Sequence, residues 1–176
     1  LSTNQAAIGL VGIETTTVNV TAAAVANAAD AVFADFSAGA SRINLVSAND
    51  LTVTLAEAGT FDASGVTAAL TWTQKAAAAG DLTGATGANN VAVFKGTTHA
   101  NNFVGSTAND TVTFVNTTGS AVAVLDAGTN IVTGNALTTG TLVVTAGSGT
   151  DSVSATALTT GTVNINLGDG TNTTTL

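Results

Sequence analysis

The side chains here with a capacity for chemistry are carboxylates and carboxamides, and they recur at a nearly fixed interval. Asp110, Asp126, Asp151 and Asp169 stand beside glycine-rich turns, with Asn109, Asn130 and Asn172 as neutral oxygen donors. Anchored on Asp151, the pattern steps forward to Asn172 and back to Asn130, Asp110 and Asn90, and Asp50 and Asp30 fall near the next expected places. Stacked on successive turns of chain, such residues would offer oxygens to a hard cation, which takes roughly six to eight of them. Stacking would bring Asp126, Asp151 and Asp169 within reach of one another. The same residue types also simply make turns, accepting hydrogen bonds from nearby backbone N–H groups. Both roles stay open at this point.

Other chemistry is sparse. His99 is the only histidine and cysteine is absent, so a zinc-type donor set has no material and no disulfide framework exists. Glu14 and Glu57 are the only glutamates, and nothing pairs them as acid and base. Gly84-Ala85-Thr86-Gly87-Ala88-Asn89 lacks the lysine of a phosphate loop. Trp72 reads as core. The sequons at Asn19, Asn109, Asn116 and Asn172 are matches of the kind an Asn- and Thr-rich chain produces by chance. With 3 basic against 11 acidic residues and a formal charge of −8, the chain is a poor partner for nucleic acid or an anionic membrane surface and permissive for cations. No apolar run is long enough to span a bilayer.

What must position the acidic turns is a repeat. Gly140 to Asp151 reads GTLVVTAGSGTD and Gly161 to Asn172 reads GTVNINLGDGTN, each introduced by ALTT, at Ala136 and again at Ala157. Each unit holds two short alternating runs, such as Ala121 to Val124 and Ile131 to Thr133, separated by turn residues. Such a unit cannot bury its apolar side alone, and stacking successive units in parallel buries it against its neighbours. The expectation is all-β: a parallel β-solenoid with coils of about 20–21 residues, one domain over residues 1–176, and a less regular part over 1–35. Val53, Trp72, Ala92, Val112, Val132, Val153 and Thr174 form the expected inward column. Outward stand pairs such as Thr71 and Thr73, Thr111 and Thr113, and Ser152 and Ser154. Hydrophobic residues make up 45%, mostly alanine and valine, which implies a thin interior of small side chains. Thr21 to Phe36 reads as a weakly formed coil carrying Asp30, with a short helix as the alternative. Lys75 to Gly80 reads as a break. Beginning at Leu1 with no signal-peptide pattern, the chain reads as an excised piece of something longer.

Gly147-Ser148-Gly149-Thr150-Asp151-Ser152-Val153-Ser154 resembles the calcium-binding nonapeptide G-G-x-G-x-D-x-U-x of the repeats-in-toxin (RTX) β-roll, as does Gly105 to Val112. Gly12-Ile13-Glu14-Thr15-Thr16-Thr17-Val18 and Phe61-Asp62-Ala63-Ser64-Gly65-Val66-Thr67 resemble phrases of Gram-negative surface-layer proteins. The resemblance implies an extracellular, cell-surface, non-catalytic protein that assembles with itself into a lattice or filament, with surface polysaccharide as a further partner. It also implies Ca²⁺ at the acidic corner, held by Asp110, Asp126, Asp151, Asp169, Asn109 and Asn130. An adhesin module, or an ice-binding ladder built from the T-x-T pairs, is the alternative; Val91, Val93 and Ile131 interrupt the threonine ranks. One departure stands out: in the β-roll both nonapeptide half-turns carry the acidic loop, whereas here only one corner of each coil does.

Overall fold

Alternation of apolar with small polar residues makes strands throughout, and the strands fall into two parallel sheets. The computed structural model describes residues 18–22, 31–36, 42–48, 50–56, 59–74, 80–86, 88–95, 100–115 and 118–176. In chain order the strands are β1 (Val18–Ala22), β2 (Ala31–Phe36), β3 (Arg42–Ser47), β4 (Leu51–Ala56), β5 (Gly59–Val66) and β6 (Leu70–Gln74). They continue with β7 (Gly80–Thr83), β8 (Asn90–Phe94), β9 (Asn101–Val104), β10 (Asp110–Phe114) and β11 (Ser120–Val124). The last are β12 (Gly128–Thr133), β13 (Thr141–Thr145), β14 (Gly149–Ser154), β15 (Thr162–Asn166) and β16 (Thr173–Thr175). Odd-numbered strands stack in order in one eight-stranded sheet and even-numbered strands in the other. Every pairing joins a strand to the one two places on, in parallel. The chain therefore winds from one sheet to the other and back, once per coil. This is a β-solenoid, and from the β5–β7 and β6–β8 pairings onward its coils have the length the repeat predicts, with pairing residues 20 or 21 apart. Before that, β3–β5 and β4–β6 pair at 18 or 19 and β1–β3 at 25.

The expected column sits where the alternation puts it. Val53, Trp72, Ala92, Val112, Val132 and Val153 are buried and pair coil to coil in one register. Thr174 shares that register but is exposed, because β16 is paired on one side only. The interior is not uniformly thin. Phe61, Trp72, Phe94, Phe103 and Phe114 are fully buried and form an aromatic belt through the middle coils. Trp72 lies 4.7 Å from Phe94 and 5.7 Å from Phe61, centroid to centroid, and Phe94 stacks on Phe114 at 5.1 Å. The belt gives those coils the larger payload of buried aromatic surface. It also leaves the Trp72 ring N–H buried without a partner.

The corners explain why the phrases recur. In ALTT, Leu137 is buried against the core, and its N–H donates to the Gly134 carbonyl at 3.0 Å. One coil on, the Leu158 N–H donates likewise to Ala155, and the Thr159 N–H reaches the Thr138 carbonyl at 2.9 Å, stacking turn on turn. At the opposite corner Gly128, Gly149 and Gly170 hold φ angles of +114°, +153° and +124°. A Cβ at Gly149 would strike the Gly128 carbonyl, and one at Gly170 the Gly149 carbonyl. Only glycine meets both demands.

At the N-terminal end, Ala31–Phe36 is a strand rather than a helix, and Val18–Ala22 realises the alternating run seen in the sequence. Asp30, Lys75 to Ala79 and His99 lie outside the described residues. Among the described residues, no helix is long and apolar enough to cross a membrane.

Candidate functional site: a buried ladder of asparagine and aspartate

The recurring Asx residues divide into two sets with opposite surroundings. Asn90, Asp110, Asn130 and Asp151 are buried, none more than 2% exposed. They form one column in register, opening β8 and β10 and standing third in β12 and β14, and Asn172, just before β16, continues it. Each sits two residues before a core position: Asn90 before Ala92, Asp110 before Val112, Asn130 before Val132, Asp151 before Val153. A strand's period of two therefore turns these side chains inward.

Every rung is tied to the one above it by the same bond. The Asn90 N–H donates to Asp110 Oδ1 at 3.2 Å, the Asp110 N–H to Asn130 Oδ1 at 3.0 Å, and the Asn130 N–H to Asp151 Oδ1 at 3.3 Å. The Asp151 N–H donates to Asn172 Oδ1 at 2.9 Å. Asparagine adds a second link where the next rung is aspartate. Nδ2 of Asn90 donates to Asp110 Oδ1 at 2.7 Å, and Nδ2 of Asn130 to Asp151 Oδ1 at 2.8 Å. The asparagines also clip the corner beneath them: Asn90 Nδ2 to the Ala85 carbonyl, Asn130 Nδ2 to the Asp126 carbonyl, Asn172 Nδ2 to the Leu167 carbonyl. Buried backbone N–H groups at the strand entrances thus find acceptors, as buried donors must.

The two aspartates are not equivalent. Asp110 receives three N–H bonds, two from Asn90 on Oδ1 and one from Ser106 at 2.8 Å on Oδ2. Burial pushes its carboxyl above the ordinary range, and the bonds from Ser106 and Asn90 pull it partly back. Gly105 makes room for it, since a Cβ there would meet Asp110 Oδ2. Asp151 is bonded through Oδ1 alone, and its Oδ2 is buried without a partner.

The second set faces out. Asn109, Asp126 and Asp169 are exposed. Asn109 belongs to an outer rank one residue away from the ladder, where its Oδ1 accepts from the Thr129 N–H at 2.7 Å and its own N–H donates to Asn89 Oδ1. Asp50 joins this rank rather than the ladder, accepting from the Ala69 N–H at 3.0 Å. The ladder position in those early coils is apolar: Leu51 and Leu70 stand in register with Asn90. The Asp126 carbonyl accepts from the Gly147 N–H and the Asp169 carbonyl from the Gly149 N–H, so the two carboxylates occupy different places on the corner. Asp151 meanwhile turns inward toward Asn130. Among the described residues, no three acidic or histidine side chains gather as a metal cage. The expected grouping of Asp126, Asp151 and Asp169 is thus replaced by an inner ladder and scattered outer carboxylates.

Comparison with known proteins returns no matching family model, no matching curated protein and no matching solved structure.

Proposed function

We propose that this chain is a non-catalytic structural element that associates with copies of itself at a bacterial cell surface, as a surface-layer or matrix subunit. The observation that carries the reading is the Asx ladder inside a continuous two-sheet stack. Its polar chemistry is spent on holding coil to coil, at positions closed to solvent. Long parallel stacks of short coils give rods with regular outer faces, suited to repeated side-by-side contacts. The resemblance of the acidic turns and of the Gly12 and Phe61 phrases to RTX and surface-layer proteins supports the extracellular placement, with surface polysaccharide as a second partner.

Calcium belongs to this proposal at one place. Asp151 Oδ2 is the ladder oxygen without a partner, and it lies in the turn closest to the RTX nonapeptide. A hard cation would draw on that oxygen and on backbone carbonyls of the turn. The deciding experiment is negative-stain microscopy with sedimentation of the purified chain over a range of concentrations, with calcium and with excess chelator. Filaments, sheets or reversible large species support the reading. A monomer under every condition would sink it.

A further inference from the structure

The outer face of the even-numbered sheet holds the longer uncharged run of the two sheets: six strands, β6 to β16, against four, β9 to β15, on the odd-numbered sheet. Its outward positions pair strand to strand in two unbroken ranks. One runs Thr71, Val91, Thr111, Ile131, Ser152 and Thr173. The other runs beside it from Thr73 through Thr113 to Thr175. Neither rank contains a charged residue, although the chain carries −8 overall. Among the described residues, charges stand outside these six strands or off their outer ranks: Asp62 and Asp81 lie on outward positions of β5 and β7, Asp35 on β2, Arg42 on β3, Asp50, Asp126 and Asp169 at corners, Lys95 beyond the end of β8, and Asp110 and Asp151 are buried. Val91, Val93 and Ile131 are the large apolar side chains of the face; Val91 and Ile131 are exposed at 43% and 45% and separated by Thr111, and Val93 is half-buried in the second rank.

We propose that this face is the contact through which a second copy of the chain docks, sheet face to sheet face. The inference rests on the self-association proposed above and names its surface. Two arguments select a second copy. Chains that each carry −8 repel through most orientations, and this broad face brings no charge against charge. The face is also periodic, with a side-chain step of about 4.8 Å between strands, and another copy of the same sheet presents the same step. Side chains from two such faces interdigitate rung by rung, with Val91 and Ile131 seated among the smaller threonines and serines of the partner. Six strands by two ranks cover roughly 400 Å² per copy, below the ~800 Å² per partner of a stable pair. A single contact is therefore weak, and it holds when repeated through an array.

The test compares Ile131→Glu with Val124→Glu. Both replace an exposed aliphatic residue, 45% and 42% exposed, and both add the same charge, but Val124 lies on the odd-numbered sheet. Circular dichroism checks that each variant keeps the fold, and sedimentation velocity reads association. The expected result is association at least tenfold weaker for Ile131→Glu and close to parental for Val124→Glu. Equal losses, or none in either variant, overturn the assignment of this face while leaving self-association standing. A parent that never associates removes the self-association reading itself. Freezing hysteresis from a monomeric parent, abolished by Ile131→Glu, would instead assign the face to ice and overturn the second-copy proposal.

Discussion

Removing the side chain of Asn130 tests the ladder at its most connected rung. In Asn130→Ala, the Asp110 N–H loses its acceptor at 3.0 Å, and Asp151 Oδ1 loses the carboxamide bond at 2.8 Å. Asp151 has little in reserve: its Oδ2 has no partner, and what remains is the Asn130 N–H at 3.3 Å. The Asp126 carbonyl also loses a donor but keeps the Gly147 N–H. An orphaned buried N–H costs about 1–3 kcal/mol and a lost bond to a charged group about 1.5–3 kcal/mol, so about 3–5 kcal/mol is expected. Asn109→Ala is the matched control one rank outward. Its Oδ1 also accepts a backbone N–H, that of Thr129 at 2.7 Å, but Asn109 and Thr129 are exposed and water replaces the lost acceptor, so about 0.5 kcal/mol is expected. Because stacked repeats open in parts, urea unfolding should be paired with hydrogen exchange resolved over β10, β12 and β14. Protection should fall there in Asn130→Ala and persist in Asn109→Ala. Equal costs for the two, or a larger one for Asn109→Ala, would refute the claim that the inner rank holds the stack.

Asp110 makes a pH prediction of definite sign. Its folded pKa is raised above 3.8, so its contribution to stability is fully present below that value and is lost as pH rises through the folded pKa. Asp110→Asn should flatten that acid-range slope in a pH series of urea midpoints, whatever its effect at one pH; an unchanged slope would assign it to other groups. Gly149→Ala should destabilise by several kcal/mol, since φ is +153° and the new Cβ meets the Gly128 carbonyl, at about 1–3 kcal/mol for the backbone strain alone. Gly134→Ala, with no neighbour nearer than 3.5 Å, should melt within a few degrees of the parent in a thermal scan. Val132→Asp should cost several kcal/mol by burying an unpaired charge in the central column, and a parental melting point would contradict the inward register. Calcium at a hundredfold excess over its Kd should stabilise by about 2.7 kcal/mol and raise protection over Ala146 to Asn172; identical exchange in excess chelator would leave those residues as turn-formers.

The stack could be read from the sequence because two independent periods agree in it. Alternation sets which side chains face in, and the recurrence of ALTT and of glycine-flanked turns sets where each coil begins. The inward position of Asp110, Asn130 and Asp151 was present in the same alternation, since each shares parity with a column valine two residues on. A polar residue at a core parity is easily assigned to the neighbouring turn, where its type is commonest, and that assignment hid the ladder. The blurring of the repeat before Asn90 has an equally local cause. The ladder position there is held by Leu51 and Leu70, so a register anchored on Asx residues finds Asp50 and lands one residue early. The aromatic belt could not be read from composition. Few large side chains are present, but they meet along the even-numbered sheet and across to the odd-numbered one over successive coils, and only the winding of the chain decides which of them meet.

The choice between asparagine and aspartate at Asp110, Asn130 and Asn172 follows from what each corner offers. At Asp110 the groups in reach are N–H donors from Asn90 and Ser106, and a carboxamide would turn its NH₂ against one of them. At Asn130 and Asn172 the corners offer carbonyls, of Asp126 in one case and Leu167 in the other, and a carboxylate there would set oxygen against oxygen. Asparagine between aspartates also supplies the Nδ2 donor that an ionised carboxylate wants from the preceding rung. Spacing adds a further constraint. Adjacent rungs lie about 4.8 Å apart and alternate rungs about 10 Å. Placing Asn130 between Asp110 and Asp151 keeps two buried carboxylates from occupying neighbouring coils, where their repulsion in a medium of low polarity would be several-fold larger than in water. The ladder therefore constrains the order of the coils: exchanging the Asn130 unit with either neighbour would set Asp110 and Asp151 on adjacent rungs, although the repeats are nearly interchangeable in shape.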